Sequence, residues 1–158
     1  EGNNNIWFSG PLGAVYGRLL AADFPATHVL SLMTRTRMSS ESGGIRVEPK
    51  GDDLAAALDH MLFFSGATPH PVRVTLGEDV VRLSVPEVEG NATSAEEDVS
   101  AAVLNLSGGE PVAFTVNGKL FRDAISTSPT FFYVPEEVRK VYVHNEDERV
   151  EQVLSTLG

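Results

Sequence analysis

The chain of 158 residues contains no cysteine. Disulfide bonds, zinc–thiolate centres and thiol nucleophiles are therefore excluded. A chain of this length buries a hydrophobic core without cross-links, so the absence of cysteine does not decide the cellular compartment. Apolar residues make up 42% of the sequence and charged residues 22%, which is ordinary for a globular protein. We expect a single domain over residues 1–158.

Basic residues are also scarce. The sequence has 12 Lys and Arg against 22 Asp and Glu, a net charge of −10. No basic residue lies between Arg82 and Lys119. Such a charge repels phosphate backbones and anionic lipids, which predicts partners that do not include nucleic acid. The apolar runs are too short for a bilayer-spanning helix, so we expect no membrane insertion.

Motifs that would mark a catalytic or ligand site are missing as well. The sequence has no catalytic-serine, calcium-loop or phosphate-loop pattern. Its four histidines stand without neighbours that would orient them: His28, His60, His70 and His144. We therefore expect no catalytic residue, no metal and no cofactor. A small hydrolase remains an alternative, because an acid and a base can meet only in three dimensions.

The clearest positive pattern is the stretch from Pro71 to Val85. Apolar and polar residues alternate on both sides of a Gly-Glu-Asp turn, which predicts a β-hairpin. A similar pattern runs from Pro111 to Ile125 around Asn117-Gly118, the strongest short hairpin signal. The inward side of both hairpins is predicted to be core: Val74, Leu76, Val81, Phe114, Val116 and Phe121.

Helical patterns separate these strands. Helices are predicted from Pro11, from Asp53, near residue 95 and over 146–157, and further strands over 6–8, 29–37, 45–47, 130–134 and 138–144. This order predicts an α+β fold. We expect a single, mainly antiparallel sheet built from repeated helix–hairpin (αββ) units, with the helices packed on one face. An internal repeat would relate residues 53–85 to residues 98–125.

A candidate binding patch lies at the end of the predicted strand over residues 29–37. Arg35 and Arg37 stand two residues apart and would project from one face of a strand, while Thr34 and Thr36 would share the other. The Ser/Gly-rich loop that follows, residues 38–44, can adapt to a partner. The alternative is a solvated edge strand whose charges prevent aggregation.

Two Asn-x-Ser/Thr sequons, at Asn91 and Asn105, and a first residue that is not Met favour a secreted protein. A cytoplasmic location stays open. The predicted function is a secreted, non-enzymatic, effector-like protein that binds a partner protein through an exposed sheet face or the 34–44 loop. The alternatives are the small hydrolase and an acidic immunity-type inhibitor of a basic toxin. The balance is against an enzyme, and the oligomeric state is not predicted.

Overall fold

The computed structural model of the chain describes residues 5–10, 13–18, 25–66, 68–86, 95–135, 139–145 and 150–157, with side chains from residue 25 onward. The chain divides into two compact units, Glu1–Leu30 and Ser31–Gly158. In the first unit, β1 (Asn5–Gly10) and β2 (Gly13–Arg18) form a two-stranded antiparallel sheet. The strand predicted over residues 6–8 is therefore confirmed. The helix predicted from Pro11 is wrong at residues 13–18, because that segment pairs with β1 along its whole length.

The remaining elements form the second unit, apart from α1 (Ala26–Gly43), which begins in the first. In chain order they are β3 (Ile45–Pro49), α2 (Asp53–Phe64), β4 (Pro71–Leu76), β5 (Val80–Ser84), β6 (Glu96–Leu104), a 3-10 turn (Ser107–Gly109), β7 (Val112–Asn117), α3 (Gly118–Ile125), β8 (Phe131–Val134), β9 (Lys140–Asn145) and β10 (Val150–Ser155).

The strands of the second unit form one eight-stranded sheet in the order β10-β9-β8-β3-β6-β5-β4-β7. All of its described pairings are antiparallel. The two edges approach each other, since Leu157, just beyond β10, forms a bridge with Thr115 of β7. The backbone N–H of Leu157 donates to the carbonyl of Thr115 at 2.8 Å. The sheet is therefore nearly closed into a barrel.

The second unit contains two copies of a strand–helix–three-strand pattern. The first copy is β3-α2-β4-β5-β6 and the second is β7-α3-β8-β9-β10. In the first copy the four strands lie in the order β3-β6-β5-β4. The second copy repeats that order as β7-β10-β9-β8, with the bridge between Thr115 and Leu157 in place of the full β3–β6 pairing. The fold is α+β with an antiparallel sheet, as predicted, but its unit is not the helix–hairpin.

The core lies between the sheet and helices α2 and α3. All six residues that the hairpin patterns predict as core are buried there: Val74, Leu76, Val81, Phe114, Val116 and Phe121. Largest among the fully buried side chains are Phe121 and Phe131, whose rings meet edge to face with centroids 5.1 Å apart. Burial of alternate residues along β4 and β5 gives each strand one core face and one outward face.

The Asn117-Gly118 pair does not form a hairpin turn, so that prediction is wrong. The side chain of Asn117 accepts a hydrogen bond from the backbone N–H of Leu120 at 3.1 Å and thereby caps α3. Gly118 lies so close to β4 that an added Cβ would stand 2.6 Å from a methyl carbon of Val72. Position 118 therefore requires glycine because the helix and the strand approach closely there, and not because the chain turns.

Two other predicted helices are strands. Residues 96–104 form β6, which is paired with β5 on one side and β3 on the other, and this pairing overrides the helix propensity of its alanines. Residues 150–155 form β10, paired with β9. The predicted internal repeat related residues 53–85 to residues 98–125, but these two stretches differ in the order of their elements. Residues 53–85 hold a helix and a hairpin, whereas residues 98–125 hold two strands and then a helix. That a single domain spans residues 1–158 stays a prediction.

Candidate functional site

Helices α2 and α3 lie side by side on one face of the sheet. α2 buries Leu54, Ala57, Leu58 and Met61, and α3 buries Gly118, Phe121, Ala124 and Ile125. The remaining sides of the two helices face away from the sheet and form one continuous surface, which we call the helix layer. Because each copy of the repeated pattern contributes one helix, the layer is a direct product of the duplicated architecture.

The helix layer carries charges of both signs. Its two helices contain three carboxylates, two permanent cations and one histidine: Asp53, Asp59, Asp123, Lys119, Arg122 and His60. His60 is paired with Glu97 of β6 at 3.0 Å. The two helices together are therefore not basic, although Lys119 and Arg122 stand one turn apart on the same helix and lie on one side of it.

A carboxylate from α2 engages a guanidinium from α3. The Nε of Arg122 donates to Oδ1 of Asp59 at 2.9 Å, and Nη2 donates to Oδ2 at 3.1 Å. Both side chains reach solvent, with 29% of Arg122 and 56% of Asp59 exposed. Together with Lys119, they line a cavity of about 470 Å³ between the helices.

The end of α2 exposes two aromatic side chains. Phe63 is 84% exposed and Phe64 38%, and their rings meet edge to face at 5.3 Å. Apolar surface of this kind is typical of contacts with another protein surface.

The opposite face of the sheet carries a similar set of cations. Arg73 of β4 and Arg82 of β5 alternate with core residues and so point away from the helices. Asp98 accepts two hydrogen bonds from Arg82, at 2.7 and 2.9 Å. This hydrogen bonding from Arg82 holds the pKa of Asp98 below its ordinary value, and burial opposes the shift. Arg82 also pairs with Glu96 at 3.2 Å. Each face thus has an arginine that a carboxylate holds through two hydrogen bonds.

Tyr142 of β9 lies between core residues Val141 and Val143, so its side chain is on the face opposite the helix layer. It is nonetheless buried, with 2% of its surface exposed. Its hydroxyl makes no hydrogen bond of good geometry among the described residues, although the carboxylate of Glu151 lies near enough to interact with it. Burial, reinforced by the charge of Glu151, raises the pKa of Tyr142 to about 12. Burial also raises the pKa of Tyr133, which Arg139 partly offsets.

The predicted binding patch lies on α1 rather than on a strand. Thr34, Arg35 and Arg37 are exposed, but Thr36 is buried and its hydroxyl donates to the carbonyl of Leu32 at 2.9 Å. Residues two apart on a helix point in nearly opposite directions, so the predicted pairing of the two arginines on one face is wrong. On this helix the hydroxyls of Thr36 and Ser40 bond to carbonyls of the preceding turn, so they need no other partner. Binding by these residues stays a prediction.

Arg37 instead links α1 to the sheet, through an ion pair with Glu151 of β10 at 3.3 Å. Of the two sequons, Asn91 lies outside the described residues. Asn105 is exposed after β6, has a positive φ of 65° and donates from its amide to the carbonyl of Gly44 at 3.2 Å. Glycosylation at either residue stays a prediction.

Sequence reasoning did not identify Asp59, Lys119 or Arg122 as site residues. The signal that could have done so is Asn117, since an N-cap there would place Lys119 and Arg122 on one side of a helix. Among the described residues, no group of three or more His, Asp and Glu is arranged to hold a metal ion. No described helix is long and apolar enough to cross a membrane.

Comparison with solved structures identifies the fold. The chain superposes on a DNA polymerase III subunit beta sliding clamp from Bartonella birtlesii, solved with bound griselimycin, with a TM-score of 0.70 at 17% identity over 99% of this chain and 40% of that chain. For a DNA polymerase III subunit beta from Pseudomonas aeruginosa the TM-score is 0.70 at 15% identity, over 99% of this chain and 40% of that chain. For a sliding clamp from Caulobacter crescentus the TM-score is 0.68 at 18% identity, over 100% of this chain and 40% of that chain. The chain thus spans about 40% of the length of these clamps. No family model and no curated protein matches it.

This likeness overturns four predictions. They are wrong because the neighbours are named as DNA polymerase subunits or sliding clamps. The four are the secreted, effector-like binder, its hydrolase and immunity-type alternatives, the absence of nucleic acid among the partners, and export. The net charge misled because it sums over every face, whereas a partner meets one. The sequons misled because such short motifs occur by chance. The expectation of a non-enzymatic protein agrees with neighbours that are named as clamps.

Proposed function

We propose that this chain is part of a non-enzymatic clamp of the DNA replication machinery and that its helix layer is the surface that meets the duplex. The observation that carries the proposal is the duplicated strand–helix–three-strand architecture, which places both helices on one face of a nearly closed sheet. Sliding clamps share this fold over 99% of the chain.

The charges of the helix layer define what kind of contact it can make. Lys119 and Arg122 can reach phosphate oxygens, while the three carboxylates of the same helices weaken the field. The expected contact is therefore weak, independent of sequence and sensitive to salt. Weak contacts of this kind let a protein move along DNA, which suits a clamp that slides.

Binding to a fluorescent 30-base-pair duplex, measured by anisotropy at low salt, tests the proposal. The double variant Lys119→Ala/Arg122→Ala should bind about 3- to 10-fold more weakly than the unchanged chain, because it removes both cations of the helix layer that can contact phosphate. The slope of log K against log salt should fall by between about one and two.

The matched control is Arg73→Ala/Arg82→Ala. It removes the same charge, and it likewise combines one arginine bound by carboxylates, here Asp98 and Glu96, with one cation for which no ion pair is seen among the described residues. Its affinity for the duplex should stay within about twofold of the unchanged chain. Equal losses in the two doubles would show that only net charge matters and would refute the assignment of the helix layer.

A further inference from the structure

Asp59 already holds one edge of the Arg122 guanidinium, so Arg122 meets a phosphate in competition with Asp59. The two hydrogen bonds, at 2.9 and 3.1 Å, use Nε and Nη2, the edge of the guanidinium that also matches two phosphate oxygens. Asp59 is the more exposed partner, 56% against 29%. A phosphate that approaches this edge of Arg122 from solvent must therefore displace the carboxylate.

Lys119 differs from Arg122 in this respect. It lines the same cavity and is exposed, and no ion pair involves it among the described residues. Asp123, the other carboxylate at the cavity, belongs to the same helix as Arg122, but the described contacts pair Arg122 with Asp59. The layer thus offers one cation that is open to solvent and one that a carboxylate occupies.

We infer that Asp59 competes with DNA phosphate for Arg122. This competition limits the contact between Arg122 and the duplex and holds the affinity of the helix layer low. This inference rests on the proposed function. Exposed ion pairs are weak and exchange readily, so the carboxylate limits the phosphate contact without preventing it. In a protein that slides, such competition shortens each contact with the backbone.

The variant Asp59→Asn tests the inference, because it removes the competing charge and keeps the size of the side chain. Its affinity for the 30-base-pair duplex should rise about 3- to 10-fold at low salt, and the salt slope should steepen by about one, the value for one added phosphate contact. The gain should vanish in Asp59→Asn/Arg122→Ala. Both variants should melt within about 4 °C of the unchanged chain, since an exposed pair contributes little to stability.

Asp98→Asn is the control for net charge, because it also removes one negative charge, from a carboxylate that holds Arg82 by the same two-bond geometry on the opposite face. Arg82 keeps its second pair, with Glu96 at 3.2 Å. The affinity of this variant should change by less than about twofold. If the unchanged chain binds through the helix layer but Asp59→Asn gains no more than Asp98→Asn, the competitor role is refuted and the proposed function stands. If neither the unchanged chain nor Asp59→Asn binds duplex, the proposed function and this inference are refuted together.

Discussion

Replacing Phe121 with alanine should lower the free energy of unfolding by about 3–5 kcal/mol, the usual cost of removing a buried phenyl ring. Phe121 is completely buried, and its ring meets Phe131 edge to face at 5.1 Å. It is the largest of the side chains that α3 buries, so the cavity left behind would lie where α3 packs on the second copy of the repeated pattern. Urea denaturation followed by circular dichroism measures the change.

Leu120→Ala provides the control for this prediction, because Leu120 is the adjacent residue of α3 and is 56% exposed. It should change the free energy of unfolding by less than about 0.5 kcal/mol, as surface substitutions usually do. Similar losses in the two variants would contradict the orientation of α3 on which the helix layer depends.

The protein should lose stability between about pH 10 and pH 12 because of Tyr142. In the unfolded chain a tyrosine has a pKa of about 10, whereas burial raises the pKa of Tyr142 to about 12 in the folded protein. Below pH 10 both states are protonated and Tyr142 has no effect. Between the two values only the unfolded state ionises, so the free energy of unfolding should fall by up to about 3 kcal/mol and then level off.

Tyr142→Phe should remove this alkaline loss while leaving stability at pH 7 within about 1 kcal/mol of the original. The buried hydroxyl makes no hydrogen bond of good geometry among the described residues, and the nearby Glu151 keeps its ion pair with Arg37, so removal of the hydroxyl leaves no other described group unsatisfied. Tyr133→Phe is the comparison, and it should remove less of the loss because Arg139 offsets part of the shift. If Tyr142→Phe and the unchanged chain show an alkaline loss of the same size, then Tyr142 ionises in the folded state with its ordinary pKa, which contradicts the prediction.

The parts of the fold that the sequence predicts are those with one strong local pattern. Helix α2 has a buried stripe at helical spacing and begins at the predicted Asp53. The β4–β5 hairpin has strict alternation on both sides of its turn. In both, the side chains that local periodicity places on one side are also those that tertiary packing buries, so local and global preferences agree.

The wrong predictions come from segments whose partners are distant in the sequence. β6 looks helical by composition, but β3 and β5 supply the hydrogen bonds that make it a strand. α1 looks like a strand because threonine and arginine alternate, yet Thr36 and Ser40 are buried on a helix and bond to carbonyls of the turn before. Asn117-Gly118 has two physical uses, a turn and a helix cap, and only the packing of Gly118 against Val72 selects the second.

The candidate site could not be predicted from the sequence for a related reason. Asp59 and Arg122 are 63 residues apart in the sequence and meet only because α2 and α3 pack side by side. Neither residue belongs to a motif, and the charge pattern around each is ordinary. The pairing becomes visible only when both copies of the repeated pattern are placed on one sheet.

The most direct test of the central claim, that the helix layer faces DNA, is a titration of the ¹⁵N-labelled chain with short duplex DNA followed by NMR. Shifts of backbone amides should concentrate on the outward residues of α2 and α3, with Lys119 and Arg122 among the largest, and should disappear as salt is added. Shifts confined to the outward face of β4 and β5, around Arg73 and Arg82, would contradict the claim, and so would a spectrum that DNA leaves unchanged.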